Sequence, residues 1–185
     1  MPQPPTPPTR IIITTSRRPS PRTRSLVKDL AGVVPGAVRL TRGHLTYQEL
    51  SIEAATLGAD RVVIIGEKRG NPSIMRIYEP KPPEGLNNIV TLIIKGVKLA
   101  REAGVPNRAK ARILRVEHDG GEDAMEVAEA LVRGLHAKLT PTRGPSVVAK
   151  LESRGDKEVL LTFTSNGSQV GPTLRIGIPW RMIKQ

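Results

Sequence analysis

The chain has 185 residues, with 29 lysines and arginines against 17 acidic residues, and a formal net charge of +12. It contains no cysteine, which excludes disulfides, cysteine-based zinc sites and thiol catalysis. Apolar residues make up 38% of the chain and no run is long enough for a membrane span, so we expect a folded cytoplasmic protein with no membrane partner. Residues 1–9 are rich in proline and lack the features of a signal peptide, and they are predicted to form a disordered arm.

Alternating strands and helices are predicted in the first part of the chain. The β-branched run Ile11–Thr15 is typical of a buried strand. Ser20 and Pro21 suit the N-cap and first position of a helix, which is predicted to end near Gly32. The next predicted elements are a short strand at Ala37–Leu40, a helix opened by a capping box at Thr46 and Glu49, and a central strand at Arg61–Gly66. This βαβαβ order predicts a parallel sheet covered by helices.

Further strands and one long helix are predicted in the rest of the chain. Strands are expected at Ser73–Tyr78 and Asn88–Lys95, separated by an exposed proline-rich corner, whereas residues 96–111 are ambiguous. A second unit is predicted to begin with a strand at Arg112–Val116, followed by a helix at Glu122–Lys138. The predicted inward stripe of that helix is Met125, Ala128, Leu131, Val132 and Leu135. The last predicted strands are Ser146–Leu151, Glu158–Thr164 and Thr173–Ile178, and Trp180 is expected to fill the core.

The positive charge is concentrated in the first part of the chain. Residues 1–111 carry 18 basic and 8 acidic residues, whereas residues 112–185 carry 11 and 9. A protein from a hot environment can also be rich in charge, but its charges of both signs are expected to alternate in ion-pair networks. Segregation by sign instead favours a polyanionic partner, and nucleic acid is the commonest polyanion in the cytosol.

Few residues suit catalysis or metal binding. Phosphate-binding and dinucleotide-binding glycine motifs are missing, and the hydroxyl groups of Thr14, Thr15 and Ser16 have no neighbouring base in the sequence. His118 and the acids that follow it could be imagined as metal ligands, but the pattern is more typical of a turn from a strand into a helix. We therefore predict no catalytic residue, no metal site and no cofactor.

Basic residues follow the ends of two predicted parallel strands. Arg17 and Arg18 follow the first strand, at the carboxyl edge where α/β sheets usually bind ligands. The helix that begins near Ser20 would add free amide groups and the positive end of its dipole. Guanidinium groups fork onto phosphate oxygens, so we expect the backbone of a folded RNA as ligand, whereas the scarcity of aromatic residues speaks against base stacking on a sheet. His44 could contact phosphate or fix a turn. The predicted RNA-binding residues are Arg17, Arg18, Arg22, Arg24, Lys28, Arg39, Arg42 and His44.

The same residues resemble the opening of a Brix domain, in which a strand leads into Thr-Ser-Arg-x-Pro-Ser and a basic helix. The matching segments are 14-TTSRRPSPRTRSLVKDL-30, 37-AVRLTRGHLTYQEL-50 and 58-GADRVVIIGEKRGNPSIMRI-77. A later segment, 169-QVGPTLRIGI-178, is similar to the family's Gly-Pro element before a strand. The order of these segments most resembles the branch that acts in small-subunit ribosomal RNA processing, in a compact archaeal-type form.

The resemblance implies an α/β fold of two similar lobes with mixed sheets, each resembling the anticodon-binding domain of class II aminoacyl-tRNA synthetases. The Brix domain would span 10–185, with an N-terminal lobe at about 10–111 and a C-terminal lobe at about 112–185. The implied function is that of a non-catalytic RNA-binding factor in pre-rRNA processing and ribosomal subunit assembly. Its implied partners are pre-rRNA or rRNA, a guide RNA and other ribosome assembly proteins. Two alternatives remain open on the residues: a ribosomal or tRNA-type structural RNA-binding protein, and a phosphate-handling enzyme that uses the same arginines.

Overall fold

The computed structural model describes residues 10–179, which form nine strands and four helices. The proline-rich segment 1–9 and Trp180, for which the sequence predicts an arm and a core residue, lie outside the described residues. The first elements are β1 (Arg10–Thr15), α1 (Pro21–Val33), β2 (Ala37–Arg39), α2 (Tyr47–Leu57), β3 (Ala59–Lys68), β4 (Asn71–Lys81) and β5 (Gly85–Lys98). They are followed by α3 (Ala100–Ala103), β6 (Ile113–His118), α4 (Glu122–Leu135), β7 (Ser146–Ser153), β8 (Glu158–Ser165) and β9 (Ser168–Gly177).

All nine strands of the described chain join in one mixed sheet. The strand order is β2-β1-β3-β4-β5-β9-β8-β7-β6. The strands at each end of the sheet pair in parallel, β2 with β1 and β1 with β3 at one end and β6 with β7 at the other. The central pairs, from β3 to β7, are antiparallel. The parallel pairing predicted for the first strands is therefore confirmed, and the sheet as a whole is mixed.

The sheet contains the same strand arrangement twice. In the first half β1 pairs in parallel with β3, which continues into the antiparallel strands β4 and β5; in the second half β6 pairs in parallel with β7, which continues into β8 and β9. The helices α1 and α4 follow the first strand of each half. Even β2 has a counterpart, because Lys138 forms an isolated parallel bridge with Arg115 of β6. Helix α2 has no counterpart among the described residues, because the loop 139–145 occupies the corresponding position in the second half.

The main core is shared by both halves of the sheet. Helices α1 and α4 cover the same face, and their buried side chains belong to one continuous apolar cluster. Helix α1 contacts β9 of the second half and α4 contacts β5 of the first. Gly134 of α4 lies so close to the sheet that a Cβ there would be 2.5 Å from Ile77 Cδ1. Helix α2 packs on the opposite face over a smaller cluster that includes Ile12, Leu50 and Val62.

Several local predictions were wrong in their boundaries or facing. Helix α4 ends at Leu135 rather than Lys138, because His136 takes the left-handed conformation (φ 57°) as C-cap. Met125 is 46% exposed, and small residues such as Ala124 and Gly134 face the sheet instead, which allows the close approach to β4. Strand β4 begins at Asn71 rather than Ser73, and it contains Pro72, which pairs with Glu67 next to a register shift in β3.

The ambiguous segment 96–111 divides at Lys98. The strand β5 runs through that residue, and the short helix α3 follows it and ends at Gly104 in the left-handed conformation. No helix among residues 10–179 is long and apolar enough to cross a membrane.

Candidate nucleic-acid interface

The loop between β1 and α1 is held at the carboxyl edge of the sheet by backbone bonds and by β3. The amide of Ser16 donates to the carbonyl of Ile65 (3.0 Å), which continues the parallel pairing by one residue. Arg18 has a φ of 55°, and this left-handed residue turns the chain toward Pro19 and the helix. Ser20 is the N-cap of α1, as predicted, and its Oγ accepts from the amide of Thr23 at 3.2 Å.

Glu67, near the end of β3, binds the start of α1. One carboxylate oxygen accepts from the Ser20 amide (2.9 Å) and from the Thr23 hydroxyl (2.5 Å). Burial raises the pKa of Glu67, but the hydrogen bonds from Thr23 and Ser20 together outweigh it and leave the pKa lowered. The helix start is thus already occupied by an anionic group, which corrects the expectation that its amide groups would be free for phosphate. The position of Glu67 in the sequence could have indicated this contact, because β1 and β3 are parallel neighbours and their carboxyl ends lie side by side.

Five of the predicted residues line one cleft beside this loop. The cleft has a volume of about 470 Å³ and lies between the start of α1 and the segment 39–44, which begins at the last residue of β2. Val27, Leu40 and Pro19 contribute apolar lining, and no acidic side chain among the described residues lines it. The predicted residues in its lining are Arg18, Arg24, Arg39 and His44, all exposed to solvent, together with Arg42.

Arg42 lines the same cleft but is a bracing residue in this structure. Its side chain is 6% exposed; Nε donates to the carbonyl of Leu45 (2.8 Å) and Nη1 to the carbonyl of Thr15 (3.2 Å). The guanidinium also lies 5.4 Å from the centre of the Tyr47 ring. Burial lowers the pKa of Arg42. These contacts tie the segment after β2 to the end of β1 and give the cleft a defined wall.

Arg17 lies beside the cleft and Lys28 lies apart from it. The exposed Arg17 donates from Nη2 to the backbone carbonyl of His44 at 3.2 Å, which joins the two loops. That contact uses the backbone carbonyl of His44 and does not involve its imidazole. Lys28 is exposed on α1 and borders a separate hollow formed with α3 and the loop after it.

Arg22 points toward the end of β5 and away from the cleft. Its guanidinium forms an ion pair with Glu102 of α3, and Nη2 also donates to the carbonyl of Val97 at 2.7 Å. The hydrogen bond from Arg22 is the main reason why the pKa of Glu102 falls to about 2. Arg22 therefore anchors α1 to the segment 97–102.

The candidate metal ligands near His118 make a turn, as predicted. Asp119 Oδ1 accepts from the amide of Gly121 (2.9 Å), and Oδ2 accepts from the amide of Ser153 (2.7 Å). The His118 ring accepts from the amide of Gly120 at 3.1 Å. Within residues 10–179 no group of three or more His, Asp or Glu side chains is arranged to hold a metal ion.

Comparison with known proteins identifies relatives over nearly the whole chain, although no family model matches. A probable Brix domain-containing ribosomal biogenesis protein of Aeropyrum pernix is 47% identical over 176 residues, which cover 94% of this chain and 98% of the relative. A protein described in the same words from Thermococcus kodakarensis is 43% identical over 155 residues, covering 81% of this chain and 74% of the relative.

Solved structures have the same fold. The crystal structure of a probable ribosomal biogenesis protein from Aeropyrum pernix K1 superposes with a TM-score of 0.88 at 46% identity, covering 93% of this chain and 97% of that one. Mil, an archaeal Imp4-like protein, shares the fold at 20% identity, with a TM-score of 0.65 over 90% of this chain and 97% of its own. The mixed α/β fold is therefore that of the solved Aeropyrum pernix protein, and it is shared by Mil.

Proposed function

Because the chain belongs to the family of Brix domain-containing ribosomal biogenesis proteins, we propose that it is a cytoplasmic factor that binds precursor ribosomal RNA during subunit assembly, without catalysis. The observation that carries this proposal is the group of exposed cations around one cleft at the sheet edge. Arg18, Arg24 and Arg39 line the cleft, and Arg17 lies beside it. With no acidic side chain in the described lining, their charge is available to RNA phosphates.

The predicted residues take different parts in this proposal. The exposed Arg17, Arg18, Arg24 and Arg39 bind phosphates, and His44 adds a further donor at the rim. Lys28 extends the basic surface along α1 toward the next phosphates of the RNA. Arg22 and Arg42 are engaged within the protein, so they support this surface by holding α1 and the segment 39–44 in place.

The proposal includes two finer points, one about the division into lobes and one about partners. We assign the N-terminal lobe to about 10–111 and the C-terminal lobe to about 112–185, each of the anticodon-binding type, and the repeated strand arrangement supports this division. We also propose that pre-rRNA is presented together with a guide RNA or with other assembly proteins. Co-sedimentation separates this function from that of a ribosomal protein: an assembly factor should travel with precursor particles and be missing from mature subunits.

A salt titration of RNA binding tests the proposed surface. We expect Arg17→Ala with Arg18→Ala to weaken binding to an rRNA fragment and to reduce the slope of log K against log salt by about 1.5, since each lost phosphate contact removes about 0.7–0.9. The matched control is Arg133→Ala with Arg143→Ala, which removes two exposed charges from α4 and from the loop between α4 and β7. An equal loss of slope in both double variants would mean that binding follows net charge and not this surface.

A further inference from the structure

The cleft at the sheet edge is larger and less polar than a phosphate site needs to be. Its volume of about 470 Å³ falls in the range of about 300–1,000 Å³ that is typical of small-molecule sites. Val27 is buried beneath it, and Leu40 and Pro19 are half-buried in its lining. An anion would lose hydration against these side chains without gaining hydrogen bonds from them. The apolar lining therefore calls for an uncharged, flat group rather than a phosphate.

The charged groups lie where they would bind the phosphates next to such a group. Arg18 and Arg24 approach the cleft from the side of α1, Arg39 approaches from the end of β2, and His44 approaches from the loop after it. All four are exposed, so phosphates held by them would stay partly in water. A guanidinium plane can also stack on a base, which provides a stacking partner in a cleft whose described lining has no Phe, Tyr or Trp side chain. One unstacked nucleotide combines a flat, uncharged base, which suits the cleft, with phosphates, which suit the cations at its rim.

We propose that the cleft between α1 and the segment 39–44 receives the base of one unstacked nucleotide from single-stranded RNA, while Arg18, Arg24 and Arg39 bind the adjoining phosphates. This inference rests on the proposed RNA-binding function and makes it more specific. The base lies against Val27 and Leu40, and the bracing contacts of Arg42 keep that wall in position before RNA arrives. The protein would thus select unpaired positions of a folded RNA, because a base within a duplex is not free to enter.

The experiment compares two RNAs that carry the same number of phosphates. One is a single-stranded oligouridylate of about a dozen nucleotides; the other has the same length with abasic sites at its central positions. In fluorescence anisotropy titrations of the full chain we expect the abasic RNA to bind about tenfold more weakly, in keeping with the contribution of one well-held base. The salt dependence of binding should be the same for both, because the phosphate contacts are unchanged.

A filling variant locates the effect in the cleft. Thr41 is exposed and lines the cleft, so the indole of Thr41→Trp should fill it. The tenfold ratio between the affinities for the base-carrying and the abasic RNA should then fall to about one. Val38→Trp, at an exposed site on β2 outside the lining, is the matched control and should keep the tenfold preference. Full preference in Thr41→Trp would place the base elsewhere and overturn the assignment.

The wild-type comparison also separates this inference from the function on which it rests. Equal binding of the two RNAs with a steep salt dependence would overturn the nucleotide site and leave the phosphate-binding surface standing. Failure of the wild-type chain to bind either RNA or an rRNA fragment would overturn the proposed function itself.

Discussion

Gly171 shows how one residue can join the two halves of the sheet. Its φ is 67°, its amide donates to the carbonyl of Pro106 at 2.7 Å, and a Cβ there would lie 2.9 Å from both methyl groups of Val33. Val33 belongs to α1 of the first half, whereas Gly171 belongs to β9 of the second. The Gly-Pro element noted in the sequence thus allows α1 to pack against β9.

We expect Gly171→Ala to destabilise the protein by about 2–4 kcal/mol, because it combines left-handed strain with a clash against Val33. Gly167→Ala is the control, since Gly167 has a similar φ of 78° and open space around its Cβ position. It should cost about 1–2 kcal/mol, from strain alone. Urea unfolding measures both free energies, and equal losses would show that packing against Val33 contributes nothing.

Two buried threonines differ in how their hydroxyl groups are satisfied. The Thr14 hydroxyl is buried and has no hydrogen-bond partner among residues 10–179, whereas the equally buried Thr23 hydroxyl donates to Glu67. A buried hydroxyl without a hydrogen-bond partner lowers stability. Removal of a paired hydroxyl also lowers stability, because its hydrogen-bond partner is then left unsatisfied.

We therefore expect Thr14→Val to leave the free energy of unfolding unchanged or to raise it by about 1 kcal/mol, because a methyl group replaces the unpaired hydroxyl. Thr23→Val should lower it by about 1–3 kcal/mol, because the carboxylate of Glu67 loses a donor. Chemical denaturation of both variants gives the comparison. A loss for Thr14→Val as large as for Thr23→Val would mean that the Thr14 hydroxyl is paired in solution.

At the scale of the element, α1 begins without acidic residues of its own in its first turn. Two carboxylates from distant parts of the chain approach that turn instead: Glu67 accepts from Ser20 and Thr23, and Glu102 pairs with Arg22. Carboxylates near a helix start also interact favourably with its dipole. The position of α1 therefore depends on groups that become neutral in acid.

The ion pair with Glu102 predicts a defined dependence of stability on pH. Its pKa falls from 4.5 to about 2 in the folded protein, chiefly because Arg22 donates to it, so folding favours the ionised carboxylate. The stabilisation is present above pH 4.5 and is lost as the pH falls toward 2. Glu102 is partly exposed, so we expect a modest effect.

We expect the free energy of unfolding of the wild type to exceed that of Glu102→Gln at pH 7, and this difference to disappear as the pH falls to 2. Glu84→Gln is the control, because Glu84 is exposed and has no ion pair within the described residues. A constant difference between wild type and Glu102→Gln at every pH would count against the ionised pair as its source.

At the scale of the whole molecule, the two halves are linked through backbone, core and polar contacts. β5 pairs with β9, α1 packs on β9, and α4 packs on β5. Arg61 Nη2 donates to the carbonyl of Arg133 (3.1 Å), and His136 Nε2 lies 3.0 Å from Asp60 Oδ1. Each half therefore leaves much of its apolar surface exposed when the other is absent.

We expect one cooperative unfolding transition, with equal calorimetric and van't Hoff enthalpies, despite the repeated strand arrangement. A fragment that spans 112–179 should not fold alone, because it loses the pairing of β9 and the contacts of α4 with β5. Circular dichroism of the fragment and calorimetry of the full chain are the measurements. Two separate thermal transitions would show that the halves are independent units.

Much of the secondary structure could be predicted from local patterns. The β-branched run of β1, the Ser20 cap with Pro21 behind it, and the capping box of Thr46 and Glu49 were all confirmed. These features depend on residues that are at most a few positions apart, so the sequence contains the whole interaction. The facing of α4 was not predictable in the same way, because the close approach of Gly134 to Ile77 decides it.

The sequence by itself determined the strand and helix types, the excess of positive charge near the end of β1, and the family to which the chain belongs. Only the tertiary structure decided which cations remain available to a ligand. Arg22, Arg24 and Arg42 look alike as sequence, yet Arg22 pairs with Glu102, Arg42 is buried against Thr15 and Leu45, and Arg24 is exposed beside the cleft. Those partners lie up to 80 residues away along the chain, and no local pattern specifies such pairings; they form because the folded sheet brings the strand ends together.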